Sequence, residues 1–278
     1  MYRTFKIFGL LSLAIMASST GLFRSASAEA LAPLAVCDLR DQQPAAAMAQ
    51  PSMDGSQIRL ANWNIQKASQ QGWRHDLRLL GEDIDLLLLQ EAVLERELET
   101  TIDNADLHAV FAPGYATDDE RTGVMTLSRT PPISECLLSH QEPWLLTPKA
   151  TGISTYRISG STQPLLVINL HAVNFTFGTS ALDQQLSDAT GVIRQHQGPV
   201  IFSGDFNTWS AARLLLLTSL MEQLGLAALD YNDDQRKLVF GLPLDHIFVR
   251  GLRVVSSGTR AVTSSDHNPI FATFAVDS

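Results

Sequence analysis

From residue 58 onward the chain alternates short apolar runs with amphipathic stretches. "IRLANWN" (58–64) predicts a strand and residues 73–80 a helix. "IDLLLLQE" (84–91) is a continuous apolar strand, followed by a charge-rich helical stretch at 94–102. Three β-type segments follow without intervening helices, at 122–128, 133–139 and 152–159. A strand at 164–171, a helix at 182–196, a strand at 199–203 and a helix at 211–224 come next. Strands at 244–250, 253–258 and 269–275 close the chain. Continuous apolar strands need cover on both faces, and helices mixed with strand pairs imply mixed sheets. The pattern therefore predicts an α/β architecture of two packed sheets with helices outside.

Composition agrees with one large globular domain: 278 residues, 45% hydrophobic and 18% charged. The N-terminus stands apart. Arg3 and Lys6 precede an apolar run at 7–17, and small residues at Ala26 and Ala28 complete the pattern of a secretory leader over 1–28. Export to the periplasm or the cell exterior is the expectation. Residues 29–56, rich in Pro, Ala, Gln and Ser, read as a linker or arm, leaving 57–278 as the main domain. The full chain carries 20 basic and 29 acidic residues, a net charge of −9. Loss of the leader removes Arg3, Lys6 and Arg24 and no acid, so the balance becomes −12. A chain so acidic has no global attraction to a polyanion, although a metal can still create a local cationic site. Cys37 and Cys136 are the only cysteines. In an exported chain they suit one disulfide, but spacing alone leaves two separate thiols equally open. Past the leader no apolar run is long enough to span a bilayer, and no obligate protein partner is evident.

The candidate chemistry lies where the apolar runs stop. "VIFSGDFNTW" (200–209) begins as a buried strand and ends in Gly204, Asp205 and Asn207, residues that strands disfavour. Asn64 ends the first strand and Glu91 the second, while His171 and Asn174 follow "LLVINL". Asp245 and His246 sit in "PLDHIF", and Asp266 and His267 in "SSDHNPI". Singly these are ordinary turn residues. Together they repeat one anomaly at strand ends, where ligands gather in layered α/β folds. Carboxylate and amide oxygens without a cysteine cluster suit Mg²⁺ or Mn²⁺. Histidines paired with carboxylates suit proton transfer and charge stabilisation. The combination is what phosphodiester hydrolysis requires.

The ordered set "NWN", "LLQE", "NLHAVN", "SGDFNTW", "LDHIF" and "SDHNP" resembles the endonuclease/exonuclease/phosphatase superfamily, the DNase I-like fold. "GVMTLS", "HAVNF", "DDQR" and "SDHNP" are similar to its bacterial YafD-like branch. The resemblance implies a four-layer α/β sandwich with the site at one end of two sheets. It implies metal-site roles for Asn64, Glu91 and Asp266, with Glu91 the main ligand. It implies that Asp205 orients the attacking water, that Asn207 and Asn174 hold the phosphate, and that Asp245 orients the catalytic His267. His171 matches a second histidine found in some members, expected to act as acid for the leaving oxygen. The implied substrate is a phosphodiester, with nucleic acid favoured and a lipid headgroup or small diester as the alternative; an inactive binding protein is the remaining reading. His246 reads as an alternation partner facing away from the site. Arg236 and Lys237 read as a solvated basic pair or, alternatively, as phosphate contacts.

Overall fold

The computed structural model describes residues 51–102 and 106–276. The expected leader and most of the arm lie outside the described residues. Where the arm enters the described region it is already part of the fold. Met53 is 3% exposed, donates its N–H to Arg157 O and accepts from Ser159 N–H.

In chain order the elements are β1 (Ile58–Asn64), α1 (Trp73–Gly81), β2 (Leu86–Val93), α2 (Leu98–Thr101), β3 (His108–Ala116) and β4 (Arg121–Ser128). Then come β5 (Ser134–Gln141), β6 (Pro148–Tyr156), β7 (Leu165–His171), α3 (Ser180–Gln195), β8 (Val200–Asp205) and α4 (Ala211–Gln223). The chain continues through β9 (Ala227–Ala228), β10 (Leu238–Val239), β11 (Leu242–Pro243), β12 (Asp245–Arg250), β13 (Leu252–Thr259) and β14 (Ile270–Val276). Two six-stranded sheets form among the described residues, ordered β13-β14-β1-β2-β4-β3 and β5-β6-β7-β8-β12-β9. Both are mixed: β1 with β2 and β7 with β8 are parallel, and their other neighbours are antiparallel.

The period-2 alternation of side chains explains why these strands read as unbroken apolar runs. In β2, Leu86 and Leu88 face the second sheet, where they join Leu60, Val167 and Ile201. Leu87 and Leu89 face the other way, onto Leu77 and Leu80 of α1. In β7, Leu165 and Val167 point between the sheets, while Leu166, Ile168 and Leu170 pack on Leu186 and Ile193 of α3 and Leu217 of α4. Helix, sheet, sheet and helix pair thus make the four layers that the motifs implied.

Three local differences separate the structure from the sequence pattern. The stretch expected as one helix at 94–102 is a 3₁₀ turn (Leu94–Arg96) and the short α2, divided by Glu97 at φ 48°. The strand expected at 152–159 lies at Pro148–Tyr156. β3 is absent from the sequence prediction because it carries Pro113 and Gly114 and is largely exposed. It is an edge strand, where proline is tolerated. Cys136, on β5, is disulfide-bonded. The chain's other cysteine, Cys37, lies outside the described residues. No helix among the described residues is long and apolar enough to cross a membrane.

Candidate active site

Parallel pairing brings the C-terminal ends of β7 and β8 together, with His171 opposite Asp205. β12 runs antiparallel to β8 and starts beside the same point, Asp245 opposite Asp205. The β7–β8 approach requires a glycine: a Cβ on Gly204 would stand 1.9 Å from Leu170 O. In the first sheet β1 and β2 end together, and Asn64 reaches across to the second sheet. Its Nδ2 donates to Asp205 Oδ2 at 2.9 Å and lies 3.5 Å from Glu91 Oε1. The strand ends of both sheets therefore meet at one carboxylate.

Two of these residues adopt left-handed backbone conformations, Glu91 at φ 50° and Asn207 at φ 50°. Asparagine tolerates this region, but glutamate is strained there by about 1–3 kcal/mol. Glu91 lies in the interval between Leu89 and Ala92 where β2 loses register with β4. A bulge of this kind re-aims a side chain. Here it turns Glu91 into a cleft of about 220 Å³ shared with Lys67, Lys149 and His171.

Asp205 is buried between two imidazoles, with Oδ2 3.7 Å from His171 Nε2 and 3.8 Å from His267 Nε2. Its Oδ1 accepts from Asn207 N–H at 3.0 Å. Burial pushes its carboxyl above the usual range, and the positive charge on His267 and the Asn64 hydrogen bond oppose this. His267 Nδ1 meets Asp245 Oδ2 at 2.8 Å. Burial works against a charge on this ring, but Asp245 and Asp205 outweigh it and hold the pKa up at about 10. The other flank of Asp205 behaves differently. His171 is driven well below its ordinary value by burial, then by Lys149, whose Nζ is 3.2 Å from Nε2. The ammonium donates to that nitrogen, so the ring is neutral.

The loop carrying His267 is fixed to β1. Trp63 Nε1 donates to His267 O at 2.9 Å, and Ser265 Oγ donates to Asn64 O while accepting from His267 N–H. Asp266, on the same loop, is exposed, with its N–H on Gln66 Oε1. It stands outside the buried group in which single ligand atoms of Asp205, Asp245 and His267 lie within 4.8 Å of one another. The Asn207 side chain donates to Ala172 O at 3.0 Å, and Asn174 Oδ1 accepts from Trp209 Nε1 at 2.9 Å. Both amides therefore brace the loop after β7. His246 faces away from the site, stacked on Phe248 and held by Thr208, and burial with Arg236 nearby lowers it to about 3. The Arg236 side chain is 13% exposed and already engaged. It pairs with Asp234, donates to Asp245 O and lies over Tyr231.

Sequence reasoning missed three supporting residues. Lys149 touches His171. Buried Arg213 donates to Asn207 O at 2.6 Å and to Val173 O and Thr176 Oγ1. Buried Glu142 accepts from Asn174 N–H at 2.7 Å and from Thr147 Oγ1. The isolated arginine of α4, in a run otherwise apolar ("AARLLLL"), was the one available signal.

The family profile described as "Endonuclease/Exonuclease/phosphatase family" matches residues 61–267. Among curated relatives, a UPF0294 protein of Vibrio cholerae is 39% identical over 223 residues, covering 80% of this chain and 79% of that protein. One from Klebsiella pneumoniae is 37% identical over 225 residues, covering 81% and 84%. Among solved structures, an endonuclease/exonuclease/phosphatase from Beutenbergia cavernae superposes with TM-score 0.65 at 16% identity, covering 80% of this chain and 72% of that one. The 2′,3′-cyclic phosphatase ANGEL2 superposes with TM-score 0.63 at 14% identity, covering 80% and 96%. At these identities the structural likeness concerns the fold.

Proposed function

The chain belongs to the endonuclease/exonuclease/phosphatase family, and from that premise we propose that it is a divalent-metal-dependent phosphodiester hydrolase. The observation that carries this reading is the buried Asp245–His267 pair, whose charged ring faces Asp205 at 3.8 Å. An inactive binding protein has no need of a buried imidazolium opposite a second buried carboxylate, since isolated buried charge is destabilising.

The donor set fits a hard cation. Glu91, re-aimed by its bulge, presents a carboxylate to the cleft; the Asn64 amide nitrogen stands beside it, and its Oδ1, the atom that would meet an ion, accepts from Gln66 N–H. Oxygen donors of this kind suit Mg²⁺ or Mn²⁺. We assign the ion to Glu91 and Asn64 rather than to Asp205, Asp245 and His267, because the imidazolium already supplies the cation in that group. Bound there, the ion would neutralise a phosphate oxygen and stabilise the charge that develops on it.

The protein's own groups divide the remaining work. Asp205, held by Asn64 and Asn207, orients the attacking water and accepts its proton. His267 donates a hydrogen bond through Nε2 to a non-bridging phosphate oxygen, with Asp245 holding the charged ring in place, and as the ester P–O bond breaks the departing oxygen takes a proton from solvent. His171, neutral, and Lys149 form the opposite wall, where Lys149 supplies the positive charge. Asn207 acts through the loop after β7. The family description, which spans nucleases and phosphatases, supports a phosphate-ester substrate class. The acidic chain, with a net charge of −9, further implies weak binding to duplex DNA without the divalent ion.

Chelation tests the reading. EDTA should abolish hydrolysis of a nitrophenyl phosphodiester, and Mg²⁺ or Mn²⁺ should restore it. Glu91→Gln, nearly the same in shape, should raise the metal concentration needed for half-maximal rate by about tenfold or more. Undiminished activity in EDTA would exclude the proposal.

A further inference from the structure

Beside the catalytic cleft lies a second groove of about 440 Å³, lined by Trp144, Leu145, Phe175, Thr176, Phe177 and Trp209. Leu145 and Phe175 line both spaces, so the groove continues directly from the cleft that holds Glu91, Lys149 and His171. Trp144 is 62% exposed and Phe177 80%, in a patch with exposed Leu145, Leu146 and Phe175. Contiguous exposed apolar surface of this kind marks an interaction site.

The groove is organised. Trp144, in the β5–β6 hairpin, meets Phe177, in the loop after β7, edge to face at a centroid distance of 4.7 Å. The floor is Trp209, whose indole N–H is taken by Asn174 and whose ring lies under the Arg213 guanidinium. The Thr176 hydroxyl is taken by Arg213 and Gly178 O. The polar atoms of the wall are therefore engaged, and the groove presents carbon. A nucleobase edge buried here would lose its hydrogen bonds, whereas an acyl chain has none to lose.

A second apolar protrusion flanks the site on its other side. The β10–β11 hairpin runs directly into Asp245 and exposes Leu238, with Phe240 at its tip 87% exposed. β5 and β6 precede β7 in the sheet order and β12 follows β8, so the two hairpins bracket the catalytic strand ends. Both tips hold a large apolar residue in the left-handed region, Leu146 at φ 54° and Phe240 at φ 51°. Glycine or asparagine would occupy either position with less strain and better solubility. Strain that serves no packing purpose points to function.

Resting on the phosphodiesterase reading, we propose that these hairpins dock the enzyme on a zwitterionic phospholipid surface, placing the catalytic end against phosphodiester headgroups. The chemistry of the rim selects the occupant. Carbon faces the acyl region, and Lys67 and Lys149 line the adjoining cleft, where their charge suits a headgroup phosphate. The net charge of −9 disfavours a strongly anionic surface and a nucleic acid alike. The substrate thus shifts from nucleic acid, favoured by the sequence, to a lipid-borne diester.

The test uses the full chain and phosphatidylcholine vesicles, with co-sedimentation as the readout. Wild type should sediment with the vesicles. The double variant Trp144→Ala/Phe177→Ala should bind about tenfold or more weakly. Phe240→Ala alone should weaken binding less. Leu79→Ala, an exposed leucine on α1, should bind as wild type does. The apolar run at 7–17 is common to all variants, so differences between them report the hairpins. Wild type that stays in solution while hydrolysing a soluble nitrophenyl diester would overturn the docking and leave the hydrolase reading intact. Patch-dependent sedimentation without hydrolysis of any diester would support the docking and reject the hydrolase reading. Patch-dependent binding of a single-stranded oligonucleotide, or patch-dependent dimerisation, in place of vesicle binding would also overturn the docking.

Discussion

The two flanks of Asp205 use the same side chain for opposite ends. His267 and His171 stand almost equally far from Asp205 Oδ2, at 3.8 and 3.7 Å, and both are buried. Burial disfavours charge on each ring to begin with. What separates them is the next partner outward: the Asp245 carboxylate at 2.8 Å for one, the Lys149 ammonium at 3.2 Å for the other. One ring is therefore an imidazolium and the other a neutral acceptor. Proton state in this site belongs to the pair, and a histidine's distance from the reacting centre does not predict it. The expectation that His171 is the acid for the leaving oxygen meets a physical obstacle here, because the ring does not hold the proton it would give.

The largest effect should come from dismantling the charged flank. His267→Ala should lower kcat/KM by about 10²–10⁴ on both a nitrophenyl diester and an unactivated diester. Asp245→Asn, which leaves the ring without its counter-charge, should move in the same direction. A near-normal rate in either variant breaks the comparison.

A smaller loss, about tenfold, is expected for His171→Ala, and it should be equal on the two substrates because a hydrogen-bonding wall is removed rather than an acid. A loss concentrated on the unactivated diester would restore the acid role. Lys149→Met sharpens the point. With the ammonium gone, the NMR titration of His171 should move upward, while that of His267 should move little.

The smallest effect is on stability, and the two rings should give opposite signs. His267 is raised from 6.5 to about 10, so the folded state binds its proton more tightly than the unfolded state. That stabilisation is complete below pH 6.5 and is lost as the pH rises through about 10. His171 is lowered, so the unfolded chain takes up a proton that the folded ring refuses, and stability falls as the pH drops below 6.5. The gap in melting temperature between wild type and His267→Gln should therefore narrow from pH 6.5 toward 10. The gap between wild type and His171→Gln should narrow on acidification. At about 2–4 °C per kcal/mol in a chain of this size, circular dichroism melts resolve both trends.

Much of this site was legible in the sequence because strand chemistry is local. A residue such as Asp205 is disfavoured in a strand whatever surrounds it, so its place after "VIFSG" is informative before any folding. The alternation that sends Leu86 and Leu87 to opposite faces is equally local, and it made two covered sheets readable from apolar runs alone. The edge strand β3 escaped because half its surface is solvated and it contains Pro113, features that also describe a loop.

What the chain order determined by itself was the set of polar strand ends and the layered architecture that would gather them. Tertiary structure decided which groups meet: Lys149 with His171, Arg213 with Asn207, and Asp205 with donors from both sheets. It also built the apolar groove from Trp144, Phe177 and Trp209, residues of three separate segments. The physical reason is range. Backbone preference and side-chain alternation act over a few residues, whereas charge, desolvation and surface continuity depend on neighbours in space, which only the closed fold supplies.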